Sequence, residues 1–590
     1  MDTEEETEYN DSQVAAHIRR ILSRVPEGDT TDYDEMVGKL NQSGHLFPDD
    51  VASLVTCLKG LSGAVGCIDI VRHETLAQTI FGMSMWKYNP DVMDALMDLI
   101  IRLATSRGFL DSSLEMLVNN FVPHRSFINK MNNPRGIVKK EQVLDRVHSA
   151  LINITKLMPL APLTLCTILE KRMPPIFAKH EVMAIYVENM LRLDGGPIGE
   201  FLGDTVLLTV MDRLVDLDVE IDHRDFILLD ESNDEPIFNM EYMDEDDLDD
   251  VYGYVNSFPG KLDSLMVLIC QHLQSCAENG RLFEVFKTLL KSFYVTILKT
   301  HKLMFSQFVV FYACSLDPKC GLSFANMLSD TFTDNTGIAL TRMCSVAYLA
   351  SYLSRARFLK GPIIANTLQR LVDWCVEYCR SVDEEDKTLN PEAHKLFYSG
   401  CQAIMYVLCY RMWEMFDNPD LKSQIFGFPL QFIFRHPLDP LKVCLPSIVE
   451  EFLKPAKAAS LITTSENFLF KNLLESDLSM AFGGVERLDM FFPFDPYLLR
   501  KGHRFIEPIF LRWSDVVNPP YDDDEEDYSA EEQLGDEAED YLSDEEDMGM
   551  SLNDRDDLFP DDIEDSMIEM SLEGHRMTMP ARIRPSTSPL

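Results

Sequence analysis

Residues 262–297, LDSLMVLICQHLQSCAENGRLFEVFKTLLKSFYVTI, decide the fold of this 590-residue chain. In the first half, apolar residues recur at helical spacing up to Asn279-Gly280, a pair typical of a helix C-terminal cap. These positions are Leu262, Leu265, Ile269, Leu273 and Cys276. The second half repeats the stripe with Leu282, Val285, Phe286, Leu289, Leu290, Phe293 and Ile297. The stretch therefore predicts two amphipathic helices joined by a short polar turn.

The same rhythm extends over most of the chain. Residues 303–314 are apolar nearly all round, which predicts a helix buried between neighbours. Further amphipathic segments are 92–107, 142–157, 163–171, 181–193, 341–358, 364–381, 394–416 and 441–453. Their connections are short and rich in Pro or Gly, and alternating strand patterns are scarce. The pattern predicts an all-α, HEAT-repeat-like helical solenoid with an acidic disordered insertion and tail; a compact non-repeating α-bundle is the alternative.

Acidic residues are concentrated in three places. The formal net charge is -44, and residues 521–565 alone hold 23 Asp or Glu against one Arg. Residues 230–250 hold 11 acids and no base, and residues 1–11 hold six acids. The rest of the chain is nearly neutral. Because such segments repel phosphate backbones, direct specific nucleic-acid binding is not expected.

These shifts in composition predict five regions along the chain. They are an acidic, mostly disordered N-terminus (1–30), N-terminal helical repeats (31–227), an acidic loop (228–256), C-terminal helical repeats with a cap (257–516) and an acidic disordered tail (517–590).

Residue usage predicts a protein of a reducing compartment, and a membrane span is not expected. The N-terminus lacks the basic and apolar regions of a secretory signal, and no apolar run approaches the length of a membrane span. The 13 cysteines are an odd number scattered through apolar stretches. Buried, reduced thiols of a cytosolic or nuclear protein are expected.

Catalytic and ligand-binding motifs are not recognised in the sequence. P-loop, zinc-protease, nucleophile-elbow and kinase patterns are missing, so no catalytic, metal or cofactor-binding residue is predicted and an enzyme is not expected. Cys375 and Cys379 have i,i+4 spacing but no matching His or Cys partners, which favours two core cysteines on one helical face. Residues 195–199, GGPIG, lack a preceding strand and fit a helix start better than a phosphate cradle.

The tail contains four candidate phosphorylation sites. Ser529 and Ser543 precede acidic residues, the pattern that acidophilic kinases read. Thr587 has Arg582 and Arg584 upstream, and Ser588 precedes a proline. Because phosphate would reduce the local positive charge at this basic end, these sites predict a regulatory tail whose partners change on modification.

One block near the C-terminus carries a family resemblance. It consists of Phe491, Phe492, Pro493, Phe494, Asp495 and Pro496, followed downstream by Trp513. This block resembles the C-terminal signature of the RNA polymerase I-specific transcription initiation factor family. Stretches similar to the same family occur in the same order at 147–148, 351–358, 397–403 and 440–447. The resemblance covers most of residues 45–515.

The resemblance implies a non-enzymatic bridging factor of the nucleus and nucleolus. In that family one surface binds the polymerase I stalk, the factor also contacts a promoter-bound core or selectivity factor, and protein kinases regulate it. A serine-rich polymerase contact is implied at Ser106, Ser112 and Ser113 as the nearest candidates. The rival interpretations are a nuclear helical scaffold such as a transport receptor, and an acidic chaperone. The oligomeric state stays open, with a homodimer as one option.

The signature block also has a structural interpretation. Its two prolines bar a regular helix while its three phenylalanines need burial, so the block is expected to cap the helical array as a rigid extended segment. Direct contact with a partner is the alternative. Arg355 and Arg357 are likewise internal struts or contact residues.

Overall fold

A computed structural model describes residues 2–41, 47–128, 130–131, 133–221, 254–300, 303–382, 391–462, 493–494, 497 and 499–517. Within these ranges the regular secondary structure is helical, and an isolated antiparallel bridge joins Ala356 to Phe510. The predicted all-α helical solenoid is confirmed.

The helices alternate with short turns along the described residues. In chain order the α-helices are α1 (Asp2–Arg24), α2 (Thr31–Leu40), α3 (Pro48–Gly63), α4 (Glu74–Phe81), α5 (Pro90–Ala104), α6 (Leu110–Asn119), α7 (Arg125–Ile128), α8 (Pro134–Leu157), α9 (Ala161–Arg172), α10 (His180–Asp194), α11 (Gly199–Leu202), α12 (Thr205–Val219), α13 (Phe258–Glu278), α14 (Leu282–Val295), α15 (Phe308–Leu316), α16 (Pro318–Thr333), α17 (Ala339–Arg355), α18 (Gly361–Ser381), α19 (Lys395–Phe416), α20 (Pro419–Phe426), α21 (Leu430–Phe434), α22 (Pro440–Val443), α23 (Pro446–Ala458), α24 (His503–Ile506) and α25 (Trp513–Val517). Short 3-10 helices occupy Val25–Glu27, Val65–Cys67, Met85–Lys87, Ile297–Lys299, Pro391–His394 and Glu507–Ile509.

The stretch that decides the fold forms α13 and α14. Pro259 lies in the first turn of α13, where the Ser257 hydroxyl accepts a hydrogen bond from the Gly260 amide. The helix ends at Glu278 with Asn279 as its C-cap, and Gly280 follows with a φ of 71°, the left-handed conformation that a glycine adopts without strain. The stripe residues are buried except Leu290, which is half-buried. Hydrophobic periodicity therefore determines which face of each helix enters the core.

The contacts divide the chain into two compact units. The first comprises residues 1–320 and 498–505, and the second comprises residues 321–497 and 506–590. The sequence suggested a division at the acidic segment 228–256, but the structure keeps the helices on both sides of that segment in the first unit. The reason is that α10 and α12, which precede the segment, pack directly on α13, which follows it.

The first unit is built from two layers of helices. Contacts run along one layer from α1 through α3 and α5 to α8, and from α10 through α13 to α15. The Arg192–Asp145 ion pair links α10 to α8 within this layer. Contacts run along the second layer through α2, α4, α6, α9, α12 and α14. Each helix pair thus closes its apolar face against the next pair, as in a solenoid.

The second unit is organised around α19. This helix packs against α17, α18, α20 and α23, and nearly all of its side chains from Phe397 to Met412 are buried. Gly400 allows the close approach, because a Cβ there would lie 3.0 Å from the Cys375 sulfur and 3.1 Å from the Phe332 ring. A helix that is apolar on all sides is therefore the core of this unit.

The N-terminus differs from the sequence prediction of a mostly disordered segment. Residues 2–24 form α1, whose buried side chains include Ile18 and Leu22. Gly60 of α3 lets α1 approach closely, because a Cβ at that position would meet Ile18 at 2.6 Å. The buried His73 ring also lies 3.1 Å from the Leu22 carbonyl. The acidic first residues had hidden an apolar helical stripe that begins at Val14.

A second difference concerns residues 441–453, which were predicted as one helix. The structure divides them between α22 and α23, with extended backbone at Cys444 between the two. Pro446 has no amide hydrogen for a continuous helix and instead occupies the first turn of α23.

Two predicted segments lie outside the described residues. They are the acidic run 230–250 and the tail from residue 518, which contains Ser529, Ser543, Thr587 and Ser588. Within the described ranges, the helices are all too short or too polar to span a bilayer.

Candidate protein-interaction sites

A groove between the loop before α4, α4 itself and α6 contains Ser112. Its volume is about 590 Å³, and its walls include Ile70, Val71, Phe81 and Phe109. Val71 is 80% exposed. Exposed apolar side chains such as Ile70 and Val71 beside a groove are a common feature of protein-interaction sites. The sequence did not single out the groove, because its residues come from three separate elements.

The groove is acidic as well as apolar. Glu74 and Glu115 contribute to its lining, and the Glu115 carboxylate accepts a 3.0 Å hydrogen bond from Arg172 Nε. A phosphate on Ser112 would add about -1.5 to -2 charges beside these carboxylates. It would therefore change the charge of the groove without any change in the helices.

The three predicted serines have different positions. Ser112 is half-buried and faces the groove, whereas Ser113 is fully buried and its hydroxyl has no hydrogen-bond partner among the described residues. Ser106 is half-buried in the turn between α5 and α6 and does not line the groove. A polymerase contact at Ser113 stays a prediction, and it would require this buried residue to become exposed. Successive residues of a helix point about 100° apart, so Ser113 faces the core.

Phe494 of the signature block lies in the core of the second unit. It is 0% exposed, and its ring centroid lies 5.9 Å from Tyr348, 6.3 Å from Tyr352 and 6.5 Å from Phe324. The backbone amide of Phe494 donates a 3.1 Å hydrogen bond to the Ser351 hydroxyl. The block is therefore attached to α17 by both packing and a buried hydrogen bond.

The remaining members of the block divide into two groups. Trp513 is buried against Tyr410 at 4.9 Å between ring centroids, and Pro493 is also buried. The residues that lie outside the described ranges are Phe491, Phe492, Asp495 and Pro496.

Arg355 and Arg357 have different roles at the end of α17. The buried Arg355 guanidinium lies 4.8 Å from the Tyr410 ring centroid and 5.3 Å from that of Phe510. Such cation–π packing makes Arg355 an internal strut. The exposed Arg357 instead pairs with Asp515 at 2.6 Å.

The other stretches with family resemblance also make core contacts. His148 stacks on Phe121, and its Nε2–H donates a 2.9 Å hydrogen bond to Asn189 Oδ1. Its pKa is lowered to about 4, mainly by burial. In the second unit the Tyr398 hydroxyl donates to the Leu438 carbonyl at 2.9 Å. These residues therefore stabilise helix contacts rather than a reaction centre.

Asp263 is a buried carboxylate that the sequence did not single out. It accepts hydrogen bonds from the backbone amides of Lys501 at 2.8 Å and Gly502 at 2.7 Å, and from the Tyr254 hydroxyl at 3.3 Å. Burial raises its pKa, although these hydrogen bonds oppose the shift. Asp263 thus binds residues 499–505 to α13, across more than two hundred residues of sequence.

One group of three potential metal ligands comes together in the described part of the chain. Asp194 Oδ2 lies 2.9 Å from His272 Nε2, which lies 3.5 Å from the Cys276 sulfur. Burial lowers the pKa of His272, but the hydrogen bonds to Asp194 and Cys276 outweigh it and raise the pKa to about 9. Arg281 also lies 3.4 Å from Asp194 Oδ2. Because a guanidinium at this distance competes with a metal cation, the group fits a buried ion pair between α10 and α13 best.

Most of the chain is similar to one protein family. A family model described as RNA polymerase I specific transcription initiation factor RRN3 matches residues 7–518. The chain is 26% identical over 536 residues to RNA polymerase I-specific transcription initiation factor RRN3 of Mus musculus. The alignment covers 84% of this chain and 80% of the mouse protein. It is 30% identical over 283 residues to the Schizosaccharomyces pombe factor of the same description, which covers 45% of each chain.

The fold is also similar to a solved structure. The crystal structure of RNA polymerase I transcription initiation factor Rrn3 matches with a TM-score of 0.66 and 20% sequence identity. The match covers 86% of this chain and 99% of that chain. At this identity the similarity supports the helical fold and carries no argument about individual residues.

Proposed function

This chain belongs to the family of RNA polymerase I-specific transcription initiation factors, and we propose that it binds RNA polymerase I and bridges the enzyme to promoter-bound factors for ribosomal RNA synthesis. The observation that carries this proposal is the family match over residues 7–518, which spans both compact units. Such a factor acts by protein contacts, in keeping with the names of its relatives as initiation factors. It works in the nucleus, and we place it in the nucleolus.

The groove around Ser112 is the proposed polymerase contact, on the stalk region of the enzyme. It combines exposed apolar side chains, which gain from burial against a partner, with a half-buried hydroxyl that a kinase can modify. Phosphorylation of Ser112 would place a dianion beside Glu74 and Glu115. Docking against an acidic or desolvated polymerase surface should then weaken.

The test compares Ser112→Asp with Ser112→Ala in co-purification with purified RNA polymerase I. The aspartate variant should bind several-fold less polymerase, because it adds a negative charge, while the alanine variant adds none and should bind like the natural chain. Circular dichroism should show the same helix content in both. Ser113→Asp serves as a contrast, because a carboxylate in the core should lower stability itself. Unchanged binding by Ser112→Asp would move the contact elsewhere, with Ser106 tested next.

Protein kinases are proposed as further partners through the tail. Ser529, Ser543, Thr587 and Ser588 are the candidate sites. Removal of residues 517–590 should leave folding and polymerase binding intact and abolish the response to growth signals. An unfolded product would show that the tail belongs to the core.

A further inference from the structure

An exposed aromatic cluster, formed by Trp413, Phe416 and Phe426, lies where α19 meets α20. Trp413 is 52% exposed and Phe426 is 47% exposed. The ring centroids of Trp413 and Phe416 are 5.7 Å apart with perpendicular planes, and those of Phe416 and Phe426 are 5.7 Å apart and stacked. Three large rings in mutual contact at the surface expose apolar area that burial by a partner would stabilise.

The fold itself does not require this cluster. The inner faces of the same two helices are formed by Met412 and Met415 of α19 and by Leu421 and Ile425 of α20, all of which are buried. Trp413 and Phe426 are exposed, whereas Phe416 is half-buried and stacks on Phe426. Removing them should therefore leave the core intact, and their presence needs another explanation.

The surroundings of the cluster favour a positively charged partner. Residues 413–426 contain three exposed acids, Glu414, Asp417 and Asp420, and one exposed base, Lys422. Glu414 pairs with the buried Arg411 at 2.6 Å, so the acidic character of this surface rests on Asp417 and Asp420. Lys422 Nζ lies 5.5 Å from the Phe416 ring centroid, so one ring of the cluster already attracts a cation. Ring faces and carboxylates both stabilise cations, and Arg or Lys adds an apolar stem that packs on the rings.

We propose that the aromatic cluster is a docking surface for a partner segment in which Arg or Lys side chains alternate with apolar ones. The apolar side chains would cover Trp413 and Phe426, while the cations would approach the ring faces together with Asp417 and Asp420. Interfaces of this kind concentrate their binding energy in aromatic anchors. The surface lies in the second compact unit and the Ser112 groove lies in the first, so this inference stands or fails separately from the polymerase contact.

The experiment measures the binding of fluorescent synthetic peptides to the full chain by anisotropy, at about 0.15 M salt to screen long-range attraction. The probe is a short amphipathic peptide of leucine and arginine. A leucine and glutamate peptide tests the charge requirement. A serine and arginine peptide has the same charge without apolar side chains. It therefore measures the non-specific attraction of a basic peptide to the acidic segments of the chain.

Two sets of variants locate the binding. Trp413→Ala combined with Phe426→Ala keeps the net charge and should lower the affinity for the leucine–arginine peptide at least ten-fold. Asp417→Asn combined with Asp420→Asn should lower the same affinity several-fold. Phe201→Ala removes an aromatic side chain that is 65% exposed in the first unit and should change nothing. Thermal unfolding should stay cooperative for all of these variants, with a small decrease in melting temperature for Trp413→Ala combined with Phe426→Ala, because these changes remove the ring contacts with Phe416.

Three results would overturn the proposal. The first is equal binding of the leucine–glutamate peptide, which would mean that the surface does not select cations. The second is binding that the aromatic and acidic variants leave unchanged, which would place it elsewhere on the chain. The third is concentration-dependent self-association that Trp413→Ala with Phe426→Ala removes, which would assign the cluster to a second copy of this chain.

Discussion

Replacing Phe494 with alanine tests whether the signature block stabilises the fold. The ring is fully buried, and it contacts Phe324, Tyr348 and Tyr352 at 5.9–6.5 Å between centroids. A buried Phe→Ala change costs about 3–5 kcal/mol, because apolar transfer energy is lost and a cavity remains. Aromatic pairs add about 0.5–1.5 kcal/mol each beyond their buried area. We therefore expect a loss near the upper end, about 4–5 kcal/mol.

The loss is measured by denaturant unfolding of the full chain, followed by circular dichroism and tryptophan fluorescence. A matched control is Phe432→Ala, since Phe432 is 47% exposed in the same unit and should cost well under about 1 kcal/mol. Phe494→Leu keeps part of the side-chain volume, so it should cost roughly half as much stability as Phe494→Ala, because the residual cavity is smaller.

A loss below about 1 kcal/mol for Phe494→Ala would refute the reasoning, because a fully buried aromatic ring cannot be removed from a packed core at so small a cost. If that variant also failed to bind polymerase, the block would be a contact surface instead of a structural cap. Phe492 is the second aromatic residue to test in the same way, although it lies outside the described residues.

Three further predictions concern buried charges and the acidic loop. His272 has a pKa of about 9 in the folded protein, above its value near 6.5 in the unfolded chain. Its protonation should therefore add at most about 3 kcal/mol to the free energy of unfolding. This stabilisation should be complete below pH 6.5 and lost as the pH rises through 9. In unfolding measured between pH 6 and 10, His272→Gln should remove this slope, and an unchanged slope would contradict the ion pair with Asp194. Asp263→Ala leaves the Lys501 and Gly502 amides unpaired, so we expect a loss of about 2–6 kcal/mol in the free energy of unfolding and faster proteolysis within 499–505. Wild-type resistance to proteolysis would argue against a stabilising role of these hydrogen bonds. Replacing residues 230–250 by a short Gly/Ser linker should hardly change the melting temperature, since loop-closure entropy varies slowly with length; a large drop would show that this segment packs.

Much of the secondary structure could be predicted from local sequence. The stripe from Leu262 to Cys276, the cap at Gly280 and the apolar run before Cys314 each correspond to an observed helix, because helical periodicity depends on residues three or four positions apart. The secondary-structure prediction differed from the structure in two segments, where a different local feature of the sequence determined the prediction. Acidic residues concealed the stripe of α1, and the apolar pattern of 441–453 concealed the break before Pro446.

The candidate sites were less predictable than the helices. Ser112 and Ser113 are equivalent in sequence, yet one lines a groove and the other is buried. Which of the two faces outward depends on how α6 rotates against its neighbours, and that angle is set by packing of the whole layer. The exposed cluster at Trp413 was likewise hidden inside an apolar segment that looked like core.

The sequence by itself determined the all-α class, the main amphipathic faces and the resemblance to the polymerase I factor family, since these depend on local periodicity and short motifs. Only the tertiary structure decided that Asp263 holds Lys501 and Gly502, that Phe494 lies against α17, and that helices on both sides of the acidic segment share one compact unit. Such contacts join residues from about forty to more than two hundred positions apart. Their selection depends on the shape and burial of complete helices, which no local stretch of sequence contains.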